Sequence, residues 1–172
     1  MNLPNKLTMF RVILIPFFVM FMLVDITLYD KWIALGIFIL ASLTDLLDGK
    51  IARKYNLVTN FGKFMDPLAD KVLVLTAMCW FVQDGQMASW VLAVVILREF
   101  AISGMRLLAV ERGRVIAAAW SGKIKTASTM VCLCVMLVFD IGWLNGLCQV
   151  VILATTVYSG WEYLSKNKDV FI

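Results

Sequence analysis

Four aspartates stand close together in an otherwise apolar sequence, a setting in which carboxylates can bind a metal ion or accept a proton. Asp45 and Asp48 are three residues apart and Asp66 and Asp70 four apart, so in helices each pair shares a face. Their oxygens suit a hard cation, Mg²⁺ or Mn²⁺. Four carboxylates exceed what one Mg²⁺ usually takes from protein, so we expect two ions. The chain has no histidine, which excludes an imidazole base and a His-ligated zinc ion.

Small and basic residues accompany the first aspartate pair. Gly49 and Ala52 follow Asp45 by four and seven residues, so in a helix the three residues lie on one stripe. The side chains of Gly49 and Ala52 are small, which lets a phosphorylated ligand approach the backbone there. Arg53 stands one turn beyond Gly49 and can offer a phosphate a fixed cationic fork. Acidic residues near the end of a membrane span are often solvated interfacial groups. Four of them together with this glycine and arginine favour a metal site instead.

Membrane helices must position these residues, because the composition excludes an ordinary soluble domain. Of 172 residues, 62% are hydrophobic and 16% charged, with a mean hydropathy of +0.86, whereas soluble chains are roughly 45–50% apolar and about a quarter charged. A transmembrane helix needs about 20 residues. We therefore predict an all-α integral membrane protein, a bundle of about six helices that forms a single domain over residues 1–172. The apolar runs place the spans near 8–28, 31–53, 63–83, 88–109, 124–141 and 143–164, after a short interfacial segment over residues 1–10.

The predicted spans put both aspartate pairs at one depth. At about 1.5 Å per residue, Asp45 and Asp48 lie roughly 21 and 26 Å from the outer end of their span. Asp70 and Asp66 lie roughly 20 and 26 Å from the outer end of theirs. The sequence therefore predicts that the four carboxylates meet at one level, toward the cytoplasmic side.

Basic residues are distributed unevenly between the two sides of the predicted bundle. If the N-terminus is cytoplasmic, that side receives thirteen lysines and arginines and the opposite side only Lys31, while Lys71 and Arg98 lie inside predicted spans. The positive-inside rule then predicts that both termini are cytoplasmic. The six tryptophans fall near span ends, as in an aromatic belt, and the four cysteines lie in apolar stretches typical of packing. The net charge of +4 is too small to indicate nucleic-acid binding.

The aspartates belong to a longer pattern that resembles a known signature. Asp45-x2-Asp48-Gly49-x2-Ala52-Arg53-x8-Gly62-x3-Asp66-x3-Asp70 matches, at every position and spacing, the signature of the CDP-alcohol phosphotransferases. Other segments resemble the bacterial branch of this family that forms phosphatidylglycerophosphate, so that the resemblance covers nearly the whole chain. These segments are Asn2 to Arg11, Arg98-Glu99-Phe100, Gly104-x-Arg106-Leu107 and Gly122-Lys123-Ile124-Lys125-Thr126.

The resemblance implies an enzyme of phospholipid biosynthesis that displaces CMP from CDP-diacylglycerol with an alcohol. It implies that the four aspartates hold two divalent cations and that Asp70 is also the general base. It further implies a homodimer in the bacterial cytoplasmic membrane, with an active site that opens to the cytoplasm. The positions that resemble the family's CDP contacts are Asp45, Gly49, Ala52 and Arg53.

The acceptor of that branch is sn-glycerol 3-phosphate, a dianion that needs a basic pocket. The candidate cations are Arg106, Lys123, Lys125 and Arg98. A positive-inside loop also accounts for the two lysines, and only one of them can face the pocket if both are helical. An internal ion pair with Glu99 also accounts for Arg98.

Two alternatives stay open. One is a sister enzyme of the family whose acceptor is serine, inositol phosphate or phosphatidylglycerol. The other is a divalent-cation transporter, which would spread its carboxylates through the membrane depth or show an inverted repeat. The predicted confinement of the aspartates to one level disfavours the transporter.

Overall fold

The computed structural model describes residues 3–24, 26–54, 60–111, 113, 116 and 119–168, with the backbone alone at 3–4, 45–54, 60–64 and 66–67. Within these residues the protein is entirely helical and contains no strand, as predicted, and each predicted apolar run overlaps one helix. The helices are α1 (Leu3–Leu23), α2 (Asp30–Lys54), α3 (Asn60–Gln83), α4 (Ser89–Glu111), α5 (Trp120–Val138) and α6 (Gly142–Lys166).

The end of α1 differs from the prediction. The apolar run suggested a span to residue 28, but α1 ends at Leu23. The Asp30 carboxylate organises the following turn, since it accepts hydrogen bonds from the backbone N–H groups of Ile26 and Thr27 at 2.6 and 2.9 Å and from Thr27 Oγ1 at 2.7 Å. The backbone hydrogen bond from Thr27 lowers the pKa of Asp30 below its usual value. A hydropathy pattern misses this turn because the turn itself contains apolar residues.

Apolar side chains cover the outside of the helices as well as their interior. Two described helical segments, Asn5–Leu23 and Trp120–Val138, are long and apolar enough to cross a membrane, judged by length and composition. Leu97, Phe100 and Val131 are among the large apolar side chains that stay exposed. Outward apolar faces of this kind favour contact with lipid over contact with water.

The chain divides into two compact units, Met1–Trp80 and Phe81–Ile172. In the first unit, α1 packs against α2. The rings of Phe18 and Phe38 are fully buried, with their centroids 5.9 Å apart. Ala34 and Ala41 flank Phe38 on the buried stripe of α2, and small residues there let the helices approach closely.

In the second unit, α6 packs against both α4 and α5. Amide side chains of α6 also form hydrogen bonds with the turn that precedes α4. Gln149 accepts a hydrogen bond from the backbone N–H of Ala88 at 2.9 Å and donates one to the carbonyl oxygen of Gln86 at 3.1 Å. Asn145 donates to the Gln86 side chain at 3.2 Å. These hydrogen bonds fix the start of α4 relative to α6.

Gly85 lies in the turn after α3 and has a φ of +75°, a left-handed backbone conformation that favours glycine. Gly85→Ala should lower the free energy of unfolding by about 1 kcal/mol, because a Cβ is strained at this φ. A clash adds nothing, since among the described residues no atom beyond the chain neighbours lies within 4 Å of the added Cβ. Gly146→Ala is the matched control, since Gly146 lies inside α6 with equally open surroundings. It should stabilise by about 0.5–1 kcal/mol. Thermal unfolding of the purified proteins in detergent measures both, and shifts of the same sign would contradict the expectation.

Candidate active site

The predicted aspartates lie on α2 and α3. Asp70 is described in full and is partly buried. The other residues predicted for metal and CDP binding occupy helical backbone, but their side chains lie outside the described part of the structure, so their roles remain predictions. These residues are Asp45, Asp48, Gly49, Ala52, Arg53 and Asp66.

Helix register relates the aspartates to the interior of the first unit. On α2 the buried stripe runs through Phe38 and Ala41, and helix positions 45 and 48 continue it at the same spacing of three and four residues. On α3 the buried residues Leu73 and Ala77 stand one and two turns beyond Asp70. Asp70 thus extends the buried stripe of α3, and the spacing predicts the same direction for the other three aspartates, whose side chains lie outside the described part of the structure.

Arg11 is a fully buried cation of α1. It precedes Phe18 by seven residues, and position 45 follows Phe38 by seven. Because α1 and α2 are antiparallel neighbours whose Phe18 and Phe38 rings meet, both positions lie at one level, about 10 Å along the helices from the ring pair. A fully buried arginine needs a counter-charge. The resemblance of Asn5, Thr8 and Arg11 to the family's entry segment suggests that they help to frame the nucleotide site. The spacing of Thr8, Arg11 and Phe18 along one buried stripe of α1 is the signal in the sequence that Arg11 faces inward.

A cluster of ionised side chains joins the three main helices of the second unit. Lys125 Nζ lies 2.7 Å and Arg98 Nη1 3.0 Å from the same oxygen, Oε1, of Glu99. Arg98 Nε donates to Ser159 Oγ at 3.1 Å. Lys125 is only 4% exposed. The Glu99 cluster (Arg98, Glu99, Lys125 and Ser159) therefore connects α4 to α5 and to α6, and its three charged groups leave a net positive charge.

The structure separates the two candidate lysines. Lys125 points into the Glu99 cluster, whereas Lys123 is exposed and its Nζ lies 5.6 Å from the centroid of the Trp120 ring. The expectation that residues two apart on a helix face different ways is confirmed. The internal ion pair between Arg98 and Glu99, which the sequence left open, is also present.

Arg106 is exposed but held in place from α6. Its Nε donates a hydrogen bond to the Tyr163 hydroxyl at 2.7 Å, and its Cζ lies 5.3 Å from the centroid of the tyrosine ring. Tyr163 is 2% exposed. No motif pointed to Tyr163, because it is 57 residues away from Arg106 in the chain and only the packing of α6 against α4 brings the two together.

The described residues do not contain a group of three or more His, Cys, Asp or Glu side chains that could hold a metal ion. Three of the four predicted ligands lie outside the described side chains. The metal centre therefore stays a prediction of the sequence.

Comparison with known proteins gives the class of this protein. Residues 1–161 match the CDP-alcohol phosphatidyltransferase family, and the chain belongs to that family, which confirms the resemblance of the aspartate signature. A curated relative from Bacillus subtilis (strain 168) is 43% identical over 183 residues, covering 96% of this chain and 95% of its own. A second, from Escherichia coli (strain K12), is 41% identical over 175 residues, covering 97% and 95%. Both are named CDP-diacylglycerol–glycerol-3-phosphate 3-phosphatidyltransferase.

Removal of the Glu99 charge tests how much the Glu99 cluster contributes to the stability of the fold. Glu99→Gln should lower the free energy of unfolding by about 3 kcal/mol, because it leaves the buried Lys125 and the partly buried Arg98 without their counter-charge. Glu162→Gln is the matched control, since Glu162 pairs with the exposed Lys166 side chain and exposed pairs contribute little. Unfolding in detergent measures both variants. Equal losses would show that the Glu99 cluster is no more important to the fold than a surface pair.

Proposed function

We propose that the protein transfers the phosphatidyl group of CDP-diacylglycerol to sn-glycerol 3-phosphate, giving phosphatidylglycerophosphate and CMP, as a step of phospholipid biosynthesis. The observation that carries this proposal is the identity of 43% and 41%, over 96% and 97% of the chain, to two relatives named for that activity. The complete aspartate signature supports it.

We assign to the aspartates the binding of the metal ions and the removal of the proton from the acceptor hydroxyl. Asp45, Asp48, Asp66 and Asp70 would hold two divalent cations, Mg²⁺ or Mn²⁺. The all-oxygen donor set and the spacing of three and four residues within the pairs fit such ions. Bound cations supply charge neutralisation for the pyrophosphate and for the departing CMP. Asp70 accepts the proton of the attacking hydroxyl. Contacts to the CDP moiety are assigned to Asp45, Gly49, Ala52 and Arg53.

The acceptor phosphate is assigned to the cations of the second unit. Arg106 and Lys123 are exposed, so each can reach an anion that arrives from water. Lys125 and Arg98 are tied to Glu99, and their excess positive charge attracts a dianion without requiring direct contact. An exposed guanidinium also offers two parallel donors to a phosphate.

For the membrane arrangement we propose six spans, with both termini in the cytoplasm. Beyond the two helices that qualify by length and composition, this rests on the thirteen-to-one distribution of basic residues and on exposed tryptophans near helix ends. Trp32, Trp90 and Trp143 lie at the starts of α2, α4 and α6, and all are exposed, as expected of side chains at a membrane interface. The site would open to the cytoplasm of a bacterial cell, and the family resemblance suggests a homodimer.

One observation favours a second candidate, a sister enzyme with a different acceptor. Glu99 neutralises part of the charge of Arg98 and Lys125, and an acceptor with fewer negative charges than glycerol 3-phosphate needs fewer cations. The same enzyme assay distinguishes the two candidates.

The full-length protein in detergent, supplied with CDP-diacylglycerol and Mg²⁺, should release CMP when glycerol 3-phosphate is added. Serine, inositol phosphate and phosphatidylglycerol should each give no release above the rate without acceptor. Release with one of these and not with glycerol 3-phosphate would replace the proposed acceptor by that compound. Absence of release with every acceptor, while the protein still binds divalent cations, would refute the enzyme assignment and favour the transporter.

The metal and proton roles are tested in the same assay. Asp70→Asn should reduce CMP release by at least about 100-fold, because it removes both the base and a metal ligand, whereas Asp84→Asn, at an exposed carboxylate after α3, should leave the rate unchanged. Chelation of divalent ions should abolish activity, and Mg²⁺ or Mn²⁺ should restore it. Full activity after chelation would refute the metal centre.

A further inference from the structure

Tyr163 has no part in the roles described above, yet its hydroxyl is aimed at one of the candidate acceptor cations. The side chain is 2% exposed and belongs to a buried cluster with Ile102, Met105 and Ala109 of α4, against which Ile116 and Ala119 pack. A tyrosine ring enclosed in this way has little freedom to move. Its hydroxyl therefore presents a fixed acceptor to the Arg106 Nε at 2.7 Å.

This contact restricts an arginine that is otherwise exposed. An arginine side chain loses rotamer entropy when it is ordered, and a group that is ordered in advance does not incur this cost on binding. The ring, 5.3 Å below Cζ, adds a cation–π contact. Because Nε donates to Tyr163, the two terminal nitrogens keep the parallel geometry that suits a phosphate.

We propose that Tyr163 is a positioning residue for the acceptor, which holds the Arg106 guanidinium ready to bind the phosphate of glycerol 3-phosphate. The inference rests on the proposed function, because it assumes a phosphorylated acceptor. Tyr163 acts through Arg106 and does not touch the reacting atoms.

Tyr163→Phe tests this role, since it removes the hydroxyl and keeps the buried ring. The KM for glycerol 3-phosphate should rise about tenfold, the change expected from the loss of a hydrogen bond to a charged group. The KM for CDP-diacylglycerol and the kcat should stay within about twofold. Tyr158→Phe is the matched control, because Tyr158 is exposed on the same helix, and it should change none of these constants.

A double-mutant cycle separates positioning from a purely structural role. Arg106→Lys keeps the charge but lacks the Nε donor, so it should raise the same KM, and addition of Tyr163→Phe should raise it no further. Loss of folded enzyme alone would lower the apparent kcat and leave the KM unchanged. An unchanged KM in Tyr163→Phe, or additive effects in the cycle, would overturn the inference while wild-type activity with glycerol 3-phosphate still supported the proposed function. A wild-type enzyme without that activity would overturn the proposed function as well.

Discussion

An ionised side chain inside an apolar helical protein needs an opposite charge beside it, because removal of an unpaired charge from water costs several kcal/mol. Glu99 meets this requirement for both Arg98 and Lys125 through a single carboxylate oxygen. Because these groups come from α4 and α5, and Arg98 also reaches Ser159 of α6, the pairing of charges and the packing of the three helices depend on each other. The interior of the second unit is arranged around this requirement.

The same requirement applies to the first unit. Arg11 is fully buried on α1, and the meeting of Phe18 and Phe38 places it at the level of position 45 on α2. Asp48 and the second aspartate pair add further carboxylates to the predicted site. One arginine cannot balance four carboxylates, which is the physical reason for assigning the proposed divalent cations to this level.

The candidate acceptor cations are not equivalent. Lys125 is buried against Glu99, so its charge acts through the field of the Glu99 cluster. Arg106 and Lys123 are exposed, and each lies over an aromatic ring, that of Tyr163 or Trp120. Contact with a ring keeps a long basic side chain from moving freely while its charged end stays accessible to water. This combination fits the proposed recognition of a small dianion.

The sequence by itself determined the all-helical class, the approximate helices and the family, because apolar runs and the aspartate signature are local patterns. It did not predict the end of α1, where Asp30 organises a turn within apolar sequence. Only the tertiary structure decided that Lys125 reaches Glu99 across 26 residues and that Arg106 reaches Tyr163 across 57. These pairs form because particular faces of α4, α5 and α6 pack against each other. Which faces meet depends on the packing of whole helices, and the spacing of residues within one helix does not determine it.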